Sequence, residues 1–431
     1  MIEEERVRTG RLARVGSIFA LLLAVVACSS TATPSPSVVK SNAGPATPSP
    51  TPTANATSSP TLAPKASPRP MAPATIRPGP TMTEAREGQA AVRLADGRVL
   101  ILGGTIPFTG KCEMACMNPA TASVEIYDPD TGEFSPNGSL GEPRTGAKAL
   151  LLSDGRVLVS GGYGEYGEDL TTIEIYDPAQ GASFLVKPPS NISYLPVGPT
   201  VVLLADGSVL IAGGSYALGT TSNVTLIFDP ASGGFSNGPL MAEPRQGATA
   251  TLLRDGRVLM VGGDYVDGNY SYPNKYAELI DPSHPLAQFA LSVSEYAGTS
   301  TLLSDGRVLV EEWGLWDSAA GCVTPEVSEV FDPRTEAFTP VGPMSTPRIG
   351  SAAIRIPDGR VLVFGGVDSK CAAVDTVEAF DLDRGTFQVV ATGFPKINNF
   401  SATLLDDGGI LIAGGHGSDW QMTDASWILK P

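Results

Sequence analysis

Trp313, Trp316 and Trp420, three of the four tryptophans in a chain of 431 residues, stand in short segments that also carry acids. Glu312 and Asp317 flank the first two, and Asp419 precedes the third. Tyr163, Tyr265 and Tyr270 lie in two more segments of this kind, "YGEYGEDLT" and "DYVDGNYSYPNKY". Aromatic rings beside carboxylates are the mixture that sugar sites use, since a ring face stacks and a carboxylate accepts from hydroxyls. Catalytic chemistry has fewer parts to work with. The chain holds two histidines, His284 and His416, and a Ser-His-Asp or Cys-His set needs one of them placed for the task. A pair of carboxylates is enough to hydrolyse a glycosidic bond, and acids are abundant, but abundance is not geometry. The stretch "DYVDGN" from residue 264 has part of the spacing of a calcium loop and lacks the remaining ligands. No metal and no cofactor is expected.

The segments that carry these residues are spaced by a repeat. "DGRVLILGG" begins at residue 96, and related copies begin at 154, 206, 255, 305, 358 and 407, with separations of 58, 52, 49, 50, 53 and 49. An Asp-Gly turn, four apolar residues and a closing Gly-Gly describe a strand with a marked entry and exit. Before each turn runs an earlier strand, as in "RQGATATLL" at 245. Beyond most copies comes an alternating strand that ends in an aromatic-Asp-Pro turn, as in "VEIYDPDTG" at 124, and then a fourth strand such as "GFSNGPLM". We name the four strands a, b, c and d. Because direction alternates, the tight a-b and c-d turns share one face, and the long b-c loops share the other. The b-c loops carry every aromatic and acid named above, and long variable loops are where binding groups sit. Arg86, Arg144, Arg245 and Arg348 begin strand a in four units. They are expected either to ring a channel mouth and bind an anion or to hydrogen-bond carbonyls between units, and the second role is favoured because the repeat itself supplies one per unit.

A period near 50 with strands ending in Gly-Gly resembles the kelch repeat, and the chain is similar in this to the propeller of galactose oxidase and to bacterial kelch lipoproteins. The resemblance covers roughly residues 75 to 431. It implies an all-β fold, a seven-bladed kelch-type β-propeller with four antiparallel strands per blade. The segment "TIRPGPTM" at 75 to 82 matches the endings of strand d, while "DASWILKP" at the other end occupies the place of strand c in the seventh unit. This predicts a 3+1 closure in which the N-terminal strand completes blade seven and protects an open edge. Resemblance to galactose oxidase also raises copper held by histidines and tyrosines. His284 falls in a c-d turn and His416 in a b-c loop, on opposite faces, so such a centre is not expected. Fold does not carry function. The residues favour a non-catalytic binding protein for a glycan or another surface protein, with a carbohydrate-active enzyme using a carboxylate pair as the alternative.

The N-terminus speaks to location. Four arginines between Arg6 and Arg14 precede an apolar run from Val15 to Val26, too short to span a bilayer and suited to a signal peptide. Val25-Val26-Ala27-Cys28 resembles the lipobox of bacterial lipoproteins, which implies lipidation at Cys28 and removal of residues 1–27. Residues 28–74 are almost only Ser, Thr, Pro and Ala and read as a disordered stalk. An exported protein, lipid-anchored at a bacterial cell surface and monomeric, is expected. Residues 81–431 hold 21 basic and 42 acidic side chains, a balance that repels phosphate backbones and excludes nucleic acid as a partner. Four further cysteines suggest two disulfides, with Cys112 to Cys116 and Cys322 to Cys371 the shortest-range pairing.

Overall fold

The computed structural model describes residues 71–110, 117–188, 195–216, 220–267, 270–284, 288–292, 297–312, 315–317, 321–324 and 327–431. The chain divides into two compact units, Met1–Pro70 and Met71–Pro431, and every described residue belongs to the second. The segment expected to be a signal peptide, Cys28 and most of the segment read as a stalk lie outside the described residues. Ala74, at the end of the segment read as stalk, is buried and donates its N–H to Val390 O at 2.8 Å.

The described elements are all strands, with no helix among them. In the first unit, a (Ala90–Arg93), b (Val99–Leu102), c (Ser123–Asp128) and d (Glu133–Ser139) pair antiparallel in that order. The same order recurs in the copies that begin at 154, 206, 255, 305 and 358. In the last copy, Ser401–Leu404, Ile410–Ala413 and Ser426–Lys430 are joined by Thr75–Pro78, which pairs antiparallel with Ser426–Lys430. The a strands lie side by side from unit to unit, and Ser401–Leu404 also packs beside Ala90–Arg93.

Strand b is buried along its whole length in the first unit, "VLIL", because its two faces serve two cores. Val99 and Ile101 pack with Leu411, Ala413 and Ile428 of the seventh unit, while Leu100 and Leu102 pack with Val157, Val159 and Tyr176 of the second. A strand buried on both sides reads as a continuous apolar run. The turns follow from side-chain chemistry. Asp96 Oδ1 accepts from Arg98 N at 3.1 Å while its other oxygen takes Arg98 Nε at 2.8 Å. Asp128 Oδ1 accepts from Asp130 N at 2.8 Å, an Asx turn of the type that favours Asp. The Gly-Gly exit lets the next unit approach. A Cβ on Gly103 would stand 2.3 Å from Arg144 O, and one on Gly104 2.8 Å from Glu87 O.

Three b-c connections hold strands of their own. Ser215–Tyr216, Thr220–Thr221, Asp264–Asp267 and Tyr270–Pro273 form a separate four-stranded sheet across the third and fourth units. The stretch read as part of a calcium loop is thus one arm of a hairpin, with Tyr265 opposite Tyr272. Leu315–Asp317 pairs with Gly321–Val323 in the fifth unit, and Cys322 is joined by a disulfide to Cys371 of the sixth (Cα–Cα 5.4 Å). Cys112 and Cys116 lie outside the described residues.

Candidate face and its rim

At the b-c end of the units, single bridge pairs continue the pairing of strands a and b: Glu87 with Thr105, Thr145 with Tyr163, Gln246 with Asp264, and Asn398 with His416. Neighbouring units are stitched here by Gly88 N to Asn399 O at 3.0 Å and Gly146 N to Gly88 O at 2.8 Å. The seventh, first and second units thus share a continuous rim.

The aromatic residues are distributed unequally between the faces. Phe108, Tyr163, Tyr166, Tyr216, Tyr265, Tyr272, Tyr276 and Trp420 are exposed, and all eight stand on the b-c face. Phe184 on strand d is the one other exposed aromatic among the described residues. Tyr265 and Tyr272 stack with centroids 6.5 Å apart. Of the other candidates, Glu312, Trp316, Asp317 and Tyr270 have side chains outside the description, and Trp313 lies outside the described residues altogether.

The densest cluster is in the seventh unit. His416 Nδ1 bonds Glu87 Oε2, which also accepts from Asn399 Nδ2 at 3.2 Å. The imidazole stacks on the Trp420 indole with centroids 4.6 Å apart and 17° between planes. Glu87 and Asn399 were not singled out from sequence, and His416 was weighed there only as a metal ligand or catalytic base. Their signal was present only as position: Glu87 one residue after the Arg place, Asn399 two residues after it, and His416 directly after Gly-Gly.

The four arginines do not ring an open mouth. Each is buried, 0–1% exposed, because the guanidinium is drawn into its own unit by a strand-c glutamate: Arg86 Nη2 meets Glu125 at 2.7 Å, Arg348 Nη2 meets Glu378 at 2.6 Å, and Arg144 and Arg245 pair likewise with Glu174 and Glu278. Arg86, Arg144 and Arg245 also donate from Nη1 to Gly103 O, Gly161 O and Gly262 O at 2.8–3.0 Å. The glutamates in turn hold the d-to-a connection, as Glu278 does by accepting from Ala242 N at 2.7 Å and Glu243 N at 3.0 Å. Burial lowers the Arg245 pKa and the nearby Glu278 opposes it. No guanidinium of this set is available to an anion.

The fifth unit differs. Glu311, at the place of Leu102 on strand b, is buried, with Oε2 accepting from Thr299 Oγ1 at 3.2 Å and no hydrogen-bond partner on Oε1. Burial pushes its carboxyl up to about 7, with Thr299 and Arg348 pulling it down and Glu378 pushing it up. A folded pKa above the unfolded value stabilises the fold below about pH 4.5, and that contribution is lost as pH rises through about 7. We predict that the unfolding free energy of the wild type, measured relative to a Glu311→Leu variant, falls by about 3 kcal/mol between pH 4.5 and 8. Parallel pH profiles for the two proteins would contradict this.

A copper centre of histidines and tyrosines does not fit this arrangement. Among the described residues no group of three or more His, Cys, Asp or Glu side chains is placed to hold a metal. His416 is engaged by Glu87 and Trp420, and His284 bonds Asp281 Oδ2 at 2.7 Å in a c-d turn. A cavity of about 470 Å³ lies on the turn face, where Arg254, Arg307, Arg334 and their neighbouring aspartates line it.

A family model for the Kelch motif matches residues 350–393, which run from the end of the Arg348 segment through strand d of the sixth unit. No curated protein matches the sequence. Among solved structures, a fungal alcohol oxidase of the AA5 family, determined in complex with copper, superposes with a TM-score of 0.59 at 16% identity, covering 83% of this chain and 76% of that one. At that identity the likeness concerns the fold. With strands a to d recurring from unit to unit and a Kelch motif matched in the sixth, the chain has an all-β, propeller-like fold of the kind seen in that oxidase.

Proposed function

We propose that the protein is a surface-anchored, non-catalytic binding protein that recognises a glycan or another surface protein through its b-c face. The observation that carries this is the one-sided distribution of exposed aromatics, eight on that face and Phe184 elsewhere among the described residues. Exposed aromatic side chains gathered on one face mark a place that a partner covers. In this reading the fold is seven-bladed and its 3+1 closure is made by Thr75–Pro78; support comes from the recurrence of the four-strand order at each copy and from the pairing with Ser426–Lys430. The anchor is Cys28. The described unit begins beside the a-b turn of the sixth unit, where Arg360 Nη1 donates to Ala72 O at 3.3 Å.

Two measurements test the reading. Cys28→Ala should release the protein from membranes or leave an uncleaved precursor, and unchanged fractionation and mass would contradict the anchor. On an array of neutral, amino and acidic glycans, the detergent-solubilised protein should be retained, and Tyr272→Ala should weaken retention about tenfold or more, the size of a contact hot spot, without lowering the melting temperature. Retention unchanged by that substitution would move the site away from the accessory sheet.

A further inference from the structure

The core between the fifth and sixth units contains an acid at a place where the other units have none. Strand b of the fifth unit, Val308–Glu312, points Leu309 into the core it shares with Val361 and Val363 of the sixth. Glu311, two residues on, faces the same side and pairs in register with Thr299. The other units have Leu102, Ser160, Ala212, Val261, Phe364 and Ala413 at this register, so the architecture has no need of a carboxyl here. Glu311 is 2% exposed. Its Oε2 accepts from Thr299 Oγ1, and its Oε1 has no hydrogen-bond partner. A buried polar atom in that condition costs free energy that an apolar residue would not. Such a cost at a single place asks for a use.

The sixth unit faces this core with an ion pair. Glu378 stands opposite Val363 in register, on the side that meets the fifth unit, and holds Arg348 at 2.6 Å. Arg348 and Glu378 are the charged side chains that act on Glu311 among the described residues, and Glu311 in turn acts on Arg348. At its own Arg place the fifth unit has Glu295, so the repeat supplies it with no arginine. Arg348 is also bonded differently from its counterparts. Arg86, Arg144 and Arg245 each donate from Nη1 to the carbonyl of the first glycine after strand b and leave Nε without a partner. Arg348 gives Nη1 to Thr376 O at 2.9 Å and Nε to Thr346 O at 3.1 Å, with no bond to Gly365 O. We propose that this seam is a proton-operated switch: with Glu311 protonated Arg348 stays with Glu378, and with Glu311 ionised the guanidinium turns across the seam to bridge the two carboxylates. A buried carboxylate needs a cation, and Arg348 is the one that acts on it. To meet it the guanidinium gives up Thr376 O and Thr346 O. That loosens the connection whose Ser345 and Thr346 N–H groups Glu378 also holds, at 2.7 and 3.1 Å. The Cys322–Cys371 disulfide joins the b-c connections of the same two units, so the movement reaches the b-c face whatever that face binds. Burial sets the working range, since it pushes the Glu311 carboxyl up to about 7. The protonated arrangement holds below that pH and the bridged one above it.

The test is amide hydrogen exchange of the full-length wild type, Glu311→Gln and Glu311→Leu at about pH 5.5 and about pH 8, scaled for the intrinsic rate at each pH. One unit above its pKa a carboxyl is ionised about ten times as often as not, so wild-type protection in 343–349 should fall about tenfold between the two conditions, together with that in 297–312. Glu311→Gln keeps the neutral carboxyl shape and should show no such fall. Glu311→Leu, which takes the residue of the first unit, should behave like it. The corresponding connection at 239–246, around Arg245, should exchange alike at both pH values in all three proteins. Wild-type protection in 343–349 that does not change with pH overturns the switch, and so does an equal fall in the two variants. A fall confined to 297–312 overturns it as well, because Glu311 would then ionise without moving Arg348.

Discussion

Replacing Arg245 by Met should cost about 3–5 kcal/mol of stability, the expected loss when one partner of a buried ion pair is removed, and adding Glu278→Leu should return part of it. The reason is visible within the chain. Where the first, second, fourth and sixth units pair Arg with Glu, the third has Pro196 and Leu226 and the seventh has Ile397 and Trp427 at the corresponding places. Both partners are apolar in those units, so the architecture tolerates the absence of the pair and not the absence of half of it. Recovery is incomplete because Glu278 also accepts from the N–H groups of Ala242 and Glu243, which lose their acceptor. Urea unfolding of the single and double variants measures this. A double variant as unstable as the sum of the two singles would show that Arg245 and Glu278 act independently.

A chain that begins at Glu84 should melt well below one that begins at Met71 and should aggregate more readily. It lacks Thr75–Pro78 and so exposes the edge of Ser426–Lys430. It also lacks Ala74 and Met82, which are buried in two different cores; the methionine alone accounts for about 2–5 kcal/mol by analogy with large-to-small core substitutions. Equal melting temperatures for the two chains would mean that the N-terminal strand adds nothing to the folded unit.

Much of this architecture was legible because its instructions are local. An Asp followed by Gly makes its own turn, an unbroken "VLIL" implies burial on both faces, and the direction of four strands assigns every b-c loop to one side. The function of Arg245 was less legible, since one arginine per unit fits a channel mouth as well as a core. What decides between them is a glutamate 33 residues away. The accessory sheet was within reach and missed: "DYVDGNYSYP" alternates around an Asp-Gly pair, a hairpin pattern, and its acids drew attention to calcium instead. The conformation of Trp420 was not legible at all. It depends on the hydrogen bonds that close residues 417–421, and its plane depends on Glu87, which lies 329 residues from His416.

The central claim is that the aromatic b-c face binds and the turn face supports it. Amide hydrogen exchange of the full-length protein, with and without the arrayed glycan it retains most strongly, tests this most directly. The account predicts ligand-dependent protection in 163–169, 215–221, 264–273 and 416–422, with exchange in the turns at 94–98, 152–156 and 229–233 unchanged. Protection confined to those turns, with the b-c segments exchanging as in the free protein, would contradict it.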